Sequence, residues 1–130
     1  MAILQAKLVP EGVLTTAQGS GASQNSIEVG REYGMLEIDV LGTGVTAGTV
    51  VLQHRGTQVM GAAGPVRIGD AGGWVNVTDG NIPAAGMALS ATALSGTFRV
   101  RYPRGEYQLL ASGVTGGTIT AAYSCTAEQR

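Results

Sequence analysis

The chain has 130 residues, a formal net charge of −1 and 44% hydrophobic residues, which suits one domain around one core. Twenty-one glycines stand beside one histidine, one cysteine and one tryptophan. This balance excludes a whole-chain field for nucleic acid or an anionic membrane, a disulfide within the chain, and a zinc site built from several imidazoles and thiolates.

The opening segment, Met1 to Leu14, lacks the basic start and long apolar stretch of a secretory signal. No run approaches the ~18 apolar residues of a membrane helix, so a soluble chain made in a host cytoplasm is expected. Ala2 to Val9 has strand composition, Pro10-Glu11-Gly12 interrupts it, and Val13 to Ala17 resumes it. Gln18 to Ser26 is polar and small-sided, the composition of a linker. Residues 1–30 are therefore expected to form an N-terminal arm or swapped strand that orders on a neighbour. The alternative is a strand pair joined to the body by a long loop. Residues 31–130 are expected to form the body, with its core at about Tyr33 to Thr126.

Within the body no segment keeps a helical apolar period free of glycine, whereas period-two alternation recurs. From Met35 to Leu41, Leu36, Ile38 and Val40 point one way, and Glu37 and Asp39 the other. Further strand-like runs are Thr49 to His54, Val66 to Ile68, Trp74 to Val77, Met87 to Leu94, Thr97 to Tyr102, Tyr107 to Ala111 and Thr118 to Cys125. In Thr97 to Tyr102 the alternation turns Phe98, Val100 and Tyr102 to the core and Thr97, Arg99 and Arg101 outward. Turns are supplied by Gly42 to Gly44, Gly61 to Pro65, Gly69 to Gly73, Asp79 to Asn81, Pro103 to Gly105 and Gly113 to Gly117. The prediction is an all-β fold, a single antiparallel β-sandwich of jelly-roll or Ig-like kind. One phenylalanine and one tryptophan leave a core of small branched side chains. Such a core gains from burying further surface against a partner or a second copy.

Residues able to carry chemistry are few and scattered. His54 ends a strand on the parity of Val50 and Leu52, and Cys125 lies near the C-terminal end. Neither belongs to a ligand set or a nucleophile–base pair. Gly42 to Gly48 looks superficially like a dinucleotide loop, but a β-rich run follows where that motif needs a helix. Asp70 and Asp79 lack the alternating carboxylates of a calcium loop, and Asn76-Val77-Thr78 reads as strand although it matches a glycosylation acceptor. No catalytic residue, metal ligand or cofactor is predicted. The best candidate surface is Arg99, Arg101, Tyr102, Arg104 and Tyr107: a solvated strand face, a protein interface, since arginine and tyrosine are enriched where interface energy concentrates, or, against the absent net charge, a stacking surface for single-stranded nucleic acid. Trp74, after Gly72-Gly73, reads as a core anchor. Residues 1–53 set Glu11, Glu28, Glu32, Glu37 and Asp39 against Lys7 and Arg31, whereas residues 54–130 hold six arginines against four acids. That asymmetry suggests an acidic front and a basic back able to dock head to tail.

From Trp74 onward the order of segments carries a resemblance. Gly73-Trp74-Val75-Asn76-Val77-Thr78 precedes an alanine-rich segment ending at Leu94. Then come Gly96-Thr97-Phe98-Arg99-Val100-Arg101-Tyr102 and a closing run from Gly116 to Ser124, GGTITAAYS. Over roughly residues 35–125 this pattern resembles small β-sandwich virion proteins of tailed bacteriophages. It looks most like the capsid decoration (cement) proteins on the outside of the head. The resemblance implies a non-enzymatic structural protein on the capsid exterior of the virion, bound to the major capsid protein as a homotrimer. It further implies an N-terminal segment reaching a neighbouring subunit, with Gln18 to Ser26 as its joint. Tail and fibre modules use similar sandwiches. A carbohydrate-binding sandwich using Trp74, Tyr102 or Tyr107 is a further reading.

Overall fold

The computed structural model describes residues 11–29, 33–56, 58–61, 64–67, 73–77 and 86–127. Strands form where apolar side chains alternate with hydroxyl or charged ones, and no helix occurs among the described residues. The first sheet runs, in lateral order, β1 (Glu11–Gln18), β12 (Thr118–Ala127), β4 (Tyr33–Thr43) and β10 (Ser95–Arg101). The second is built on the pair β11 (Gly105–Thr115) and β5 (Ala47–Arg55). Along the far side of β11 lie β2 (Gly21–Ala22) and β3 (Ile27–Val29). Along the far side of β5 lie β8 (Val75–Asn76) and β9 (Met87–Ser90). A separate hairpin joins β6 (Gln58–Gly61) to β7 (Gly64–Arg67). All of these pairings are antiparallel.

Chain order laid over lateral order gives a jelly roll. The chain changes sheet between β1 and β2, β3 and β4, β4 and β5, β9 and β10, β10 and β11, and β11 and β12. Within one sheet the chain turns directly to a neighbouring strand at the β6–β7 hairpin, and β8 and β9, which follow it, both pair with β5. The sandwich is therefore of the jelly-roll kind rather than the Ig-like kind. Its interior is lined from the first sheet by Leu36, Ile38, Val40 and Phe98, and from the second by Val50, Leu52, Tyr107 and Leu109.

Close backbone approach builds the corner between the sheets. Two crossings run side by side there, from β4 to β5 and from β11 to β12, and the Thr46 N–H donates to the Thr115 carbonyl at 2.9 Å. A Cβ on Gly117 would sit 1.9 Å from the Thr43 carbonyl oxygen, so the approach requires glycine. Gly42 to Gly44, expected as a turn, is thus the start of a passage between sheets.

The Ala2 to Val9 run lies outside the described residues. Residues 11–29 run along the edge of the body: β1 pairs with β12 from Glu11↔Ser124 to Gln18↔Ile119, and Leu14 is fully buried. Gln18 to Ser26, expected as a joint, is hydrogen-bonded to the strands beside it. The Ser23 N–H donates to the Leu109 carbonyl at 2.8 Å, the Leu109 N–H to Ser23 Oγ at 3.1 Å, and the Asn25 N–H to the Leu14 carbonyl at 2.9 Å. Among the described residues the core therefore already includes Leu14 and Val29, ahead of Tyr33. Short polar side chains that solvate a linker also bond back to backbone at a sheet edge, so composition does not separate the two. The run Met87 to Leu94 is likewise interrupted: β9 ends at Ser90, where reciprocal bonds with Ala93 at 3.0 and 3.1 Å close a turn.

Candidate functional site

Antiparallel register lines the outward side chains of the first sheet into rows. One row holds Glu11, Ser124, Glu37 and Arg99, the next Val13, Ala122, Asp39 and Thr97, and the third Thr120, Leu41 and Ser95. Arg99 Nε donates to Glu37 Oε2 at 2.7 Å, and Thr97 Oγ1 to Asp39 Oδ1 at 2.8 Å. On the second sheet Arg55 Nε donates to Glu106 Oε1 at 2.8 Å. One acid of the chain's first part, Glu37, is thus held by an arginine of its second part, Arg99. Pairing of β4 with β10 sets Glu37 and Arg99, distant in the chain, directly opposite one another.

Beside those polar pairs the same face is apolar. Leu41 is 54% exposed and Val13 is 50% exposed, with exposed Ala122 close by. A shallow depression here is lined by Asp39, Leu41, Ser95, Thr97, Thr120 and Ala122. Exposed aliphatic side chains on one sheet face offer a surface for contact. The Ser, Thr and Ala around them lose little side-chain entropy when covered.

Four of the five predicted interface residues are exposed. Arg99 and Arg101 project from β10, and Tyr102 and Arg104 stand on the corner that leads to β11. Tyr107 is the exception, with only 4% of its surface exposed. It shares the inward parity of Leu109 and Ala111 and meets the His54 ring edge-on, centroids 5.8 Å apart at 78°. Its Oη accepts the backbone N–H of Arg104 at 3.1 Å. Tyr107 thus supports the corner from inside the core and is not an interface residue. Tyr102 departs from its expected inward position: it is 64% exposed at φ +52°, and Pro103 is buried next to it.

His54 is half-buried in β5, and Cys125 is buried in β12, so they belong to different sheets. Among the described residues no group of three or more His, Cys, Asp or Glu is placed to hold a metal ion. Trp74 is half-buried under a guanidinium, with Arg55 Cζ 4.5 Å from its ring centroid, a surface cation–π stack in place of the expected core anchor. Of the three rings named for carbohydrate stacking, Tyr107 is buried, Trp74 is half-buried and Tyr102 is exposed. One feature of the second sheet had no sequence signal. Gln108 Nε2 donates to Gln53 Oε1 at 2.9 Å, and Gln53 Nε2 to Asn76 Oδ1 at 3.1 Å, an amide ladder across three strands. Leu41 did have a signal, since it shares the outward parity of Glu37 and Asp39.

No family model and no curated protein matches the sequence. Among solved structures, the chain is similar to the pre-peptidase C-terminal domain of a collagenase from Bacillus anthracis. The two share 16% identity at a TM-score of 0.32, over 92% of this chain and 87% of that one. A likeness of that size carries no argument about function.

Proposed function

We propose that the chain is a non-enzymatic virion protein of a tailed bacteriophage. In this reading it is a capsid decoration (cement) subunit that binds the outer surface of the major capsid protein lattice and reinforces the head. The sequence pattern from Trp74 to Ser124 supports it. The observation that carries it is the outer face of the first sheet, with Leu41 54% and Val13 50% exposed among short hydroxyl side chains. Jelly rolls serve both viral capsids and lectins, so the face and not the fold bears the weight. A shell offers many identical shallow sites, each weak alone. A face of short side chains gives up little entropy at one such site, and a homotrimer engages several at once, which raises avidity without new contacts.

The test is direct. Purified chain mixed with heads assembled without it should co-sediment with those heads, but not with free capsid subunits, and should raise the temperature at which they open. Labelled virions carrying the chain only at the tail would replace this reading with a tail or fibre module. A monomer in sedimentation equilibrium would remove the trimer.

A further inference from the structure

We infer that Tyr102 is a preorganised anchor for the partner, and that it enters an apolar pocket rimmed by carboxylates on the capsid surface. The inference deepens the reading above and rests on it. Along β10 even-numbered residues face inward: Phe98 and Val100 are buried, while Thr97, Arg99 and Arg101 are exposed. Continuing that alternation would bury Tyr102. Instead its backbone turns to φ +52°, its side chain is 64% exposed, and Pro103 is buried beside it.

A bulky side chain at positive φ is sterically disfavoured, and a following proline restricts the residue before it further. Glycine would suit the turn better. The corner is nevertheless locked in this form. The Tyr102 N–H donates to the Gly34 carbonyl at 2.9 Å, the Arg104 N–H to Tyr107 Oη at 3.1 Å, and Gly105 turns at φ +97°. Burial within the chain does not offset the strain, because most of the ring faces water. Strained residues that the surrounding structure holds in place concentrate at binding sites.

The charges on either side identify the partner's chemistry. Arg99 is held by Glu37, and Arg55 by Glu106. Among the described residues Arg101 and Arg104 have no ion-pair partner, and both are exposed beside Tyr102. Two guanidinium groups flanking an aromatic ring complement an apolar hollow edged by carboxylates. Because the corner is set before docking, little ordering entropy is lost when the ring is covered.

Two measurements on the full chain test this: thermal unfolding, and co-sedimentation with heads assembled without it. Tyr102→Gly should raise the melting temperature by about 2–5 °C as the strain is relieved. The same variant should bind heads at least about tenfold more weakly. Tyr102→Phe should keep the affinity within about threefold, since the ring supplies the contact. Arg101→Gln with Arg104→Gln should weaken binding and flatten its salt dependence while leaving the melting temperature unchanged. The anchor is overturned if wild type binds heads and Tyr102→Gly binds equally well, or if Tyr102→Gly lowers the melting temperature. Wild-type chain that fails to bind heads at all overturns the capsid reading itself, and with it the partner assigned to Tyr102.

Discussion

On the outer face of the second sheet, Gln108, Gln53 and Asn76 hydrogen-bond in a row across three strands. In the adjoining row Ser26 donates to Glu106, Arg55 bridges to Glu106, and the Arg55 guanidinium lies over Trp74. The outer face of the first sheet has short side chains, two polar pairs, and Leu41 and Val13 turned into water. The backbone pattern is the same, yet the polar groups do different work. On the second sheet they bond across strands, which fixes register and lateral order. On the first, the small side chains leave a smooth surface whose exposed apolar groups gain only when something covers them.

The comparison can be broken by substitution. Both faces depend on the shared corner, so Gly117→Ala should have the largest effect, a loss of at least about 3 kcal/mol in urea unfolding or failure to fold. Next comes Leu14→Ala, expected to cost about 2–5 kcal/mol. A loss below about 0.5 kcal/mol would mean that β1 orders only on a neighbour, and would return it to the arm expected from sequence. On the second sheet, Arg55→Ala removes a partly buried ion pair and a cation–π stack. It should cost about 1–2 kcal/mol with head binding unchanged. On the first sheet, Leu41→Ser should move stability by less than about 0.5 kcal/mol yet weaken head binding. If these two variants exchange effects, the assignment of faces is reversed. Arg99→Glu combined with Arg101→Glu should also have a small effect, shifting unfolding by about 1 kcal/mol or less while lowering attachment. Unchanged attachment would mark that strand face as ordinary solvent-exposed surface.

Much of the strand content was legible, because side-chain alternation is written residue by residue. Leu36, Ile38 and Val40 inside, and Arg99 and Arg101 outside, follow from parity alone. The two tyrosines of the candidate site were misread for a physical reason. Two residues at positive φ, Tyr102 and Gly105, turn the chain here and reset parity, sending Tyr102 out while Tyr107 falls in a new inward series on β11. The short strand β2 was hidden for another reason. Polar, glycine-rich composition is shared by linkers and by edge segments whose side chains bond to backbone.

The sequence by itself determined that the chain is built from strands, how many side chains can line its interior, and which strand faces carry charge. Those properties depend on neighbours one or two positions away. Tertiary structure alone decided that Glu37 meets Arg99 across 62 positions, that residues 11–29 belong to the sandwich, and that the sheets are wound as a jelly roll. Register and sheet order are choices among distant pairings, and alternation is nearly the same for all of them. What selects one is the packing of the common core and the close backbone passage at Gly117.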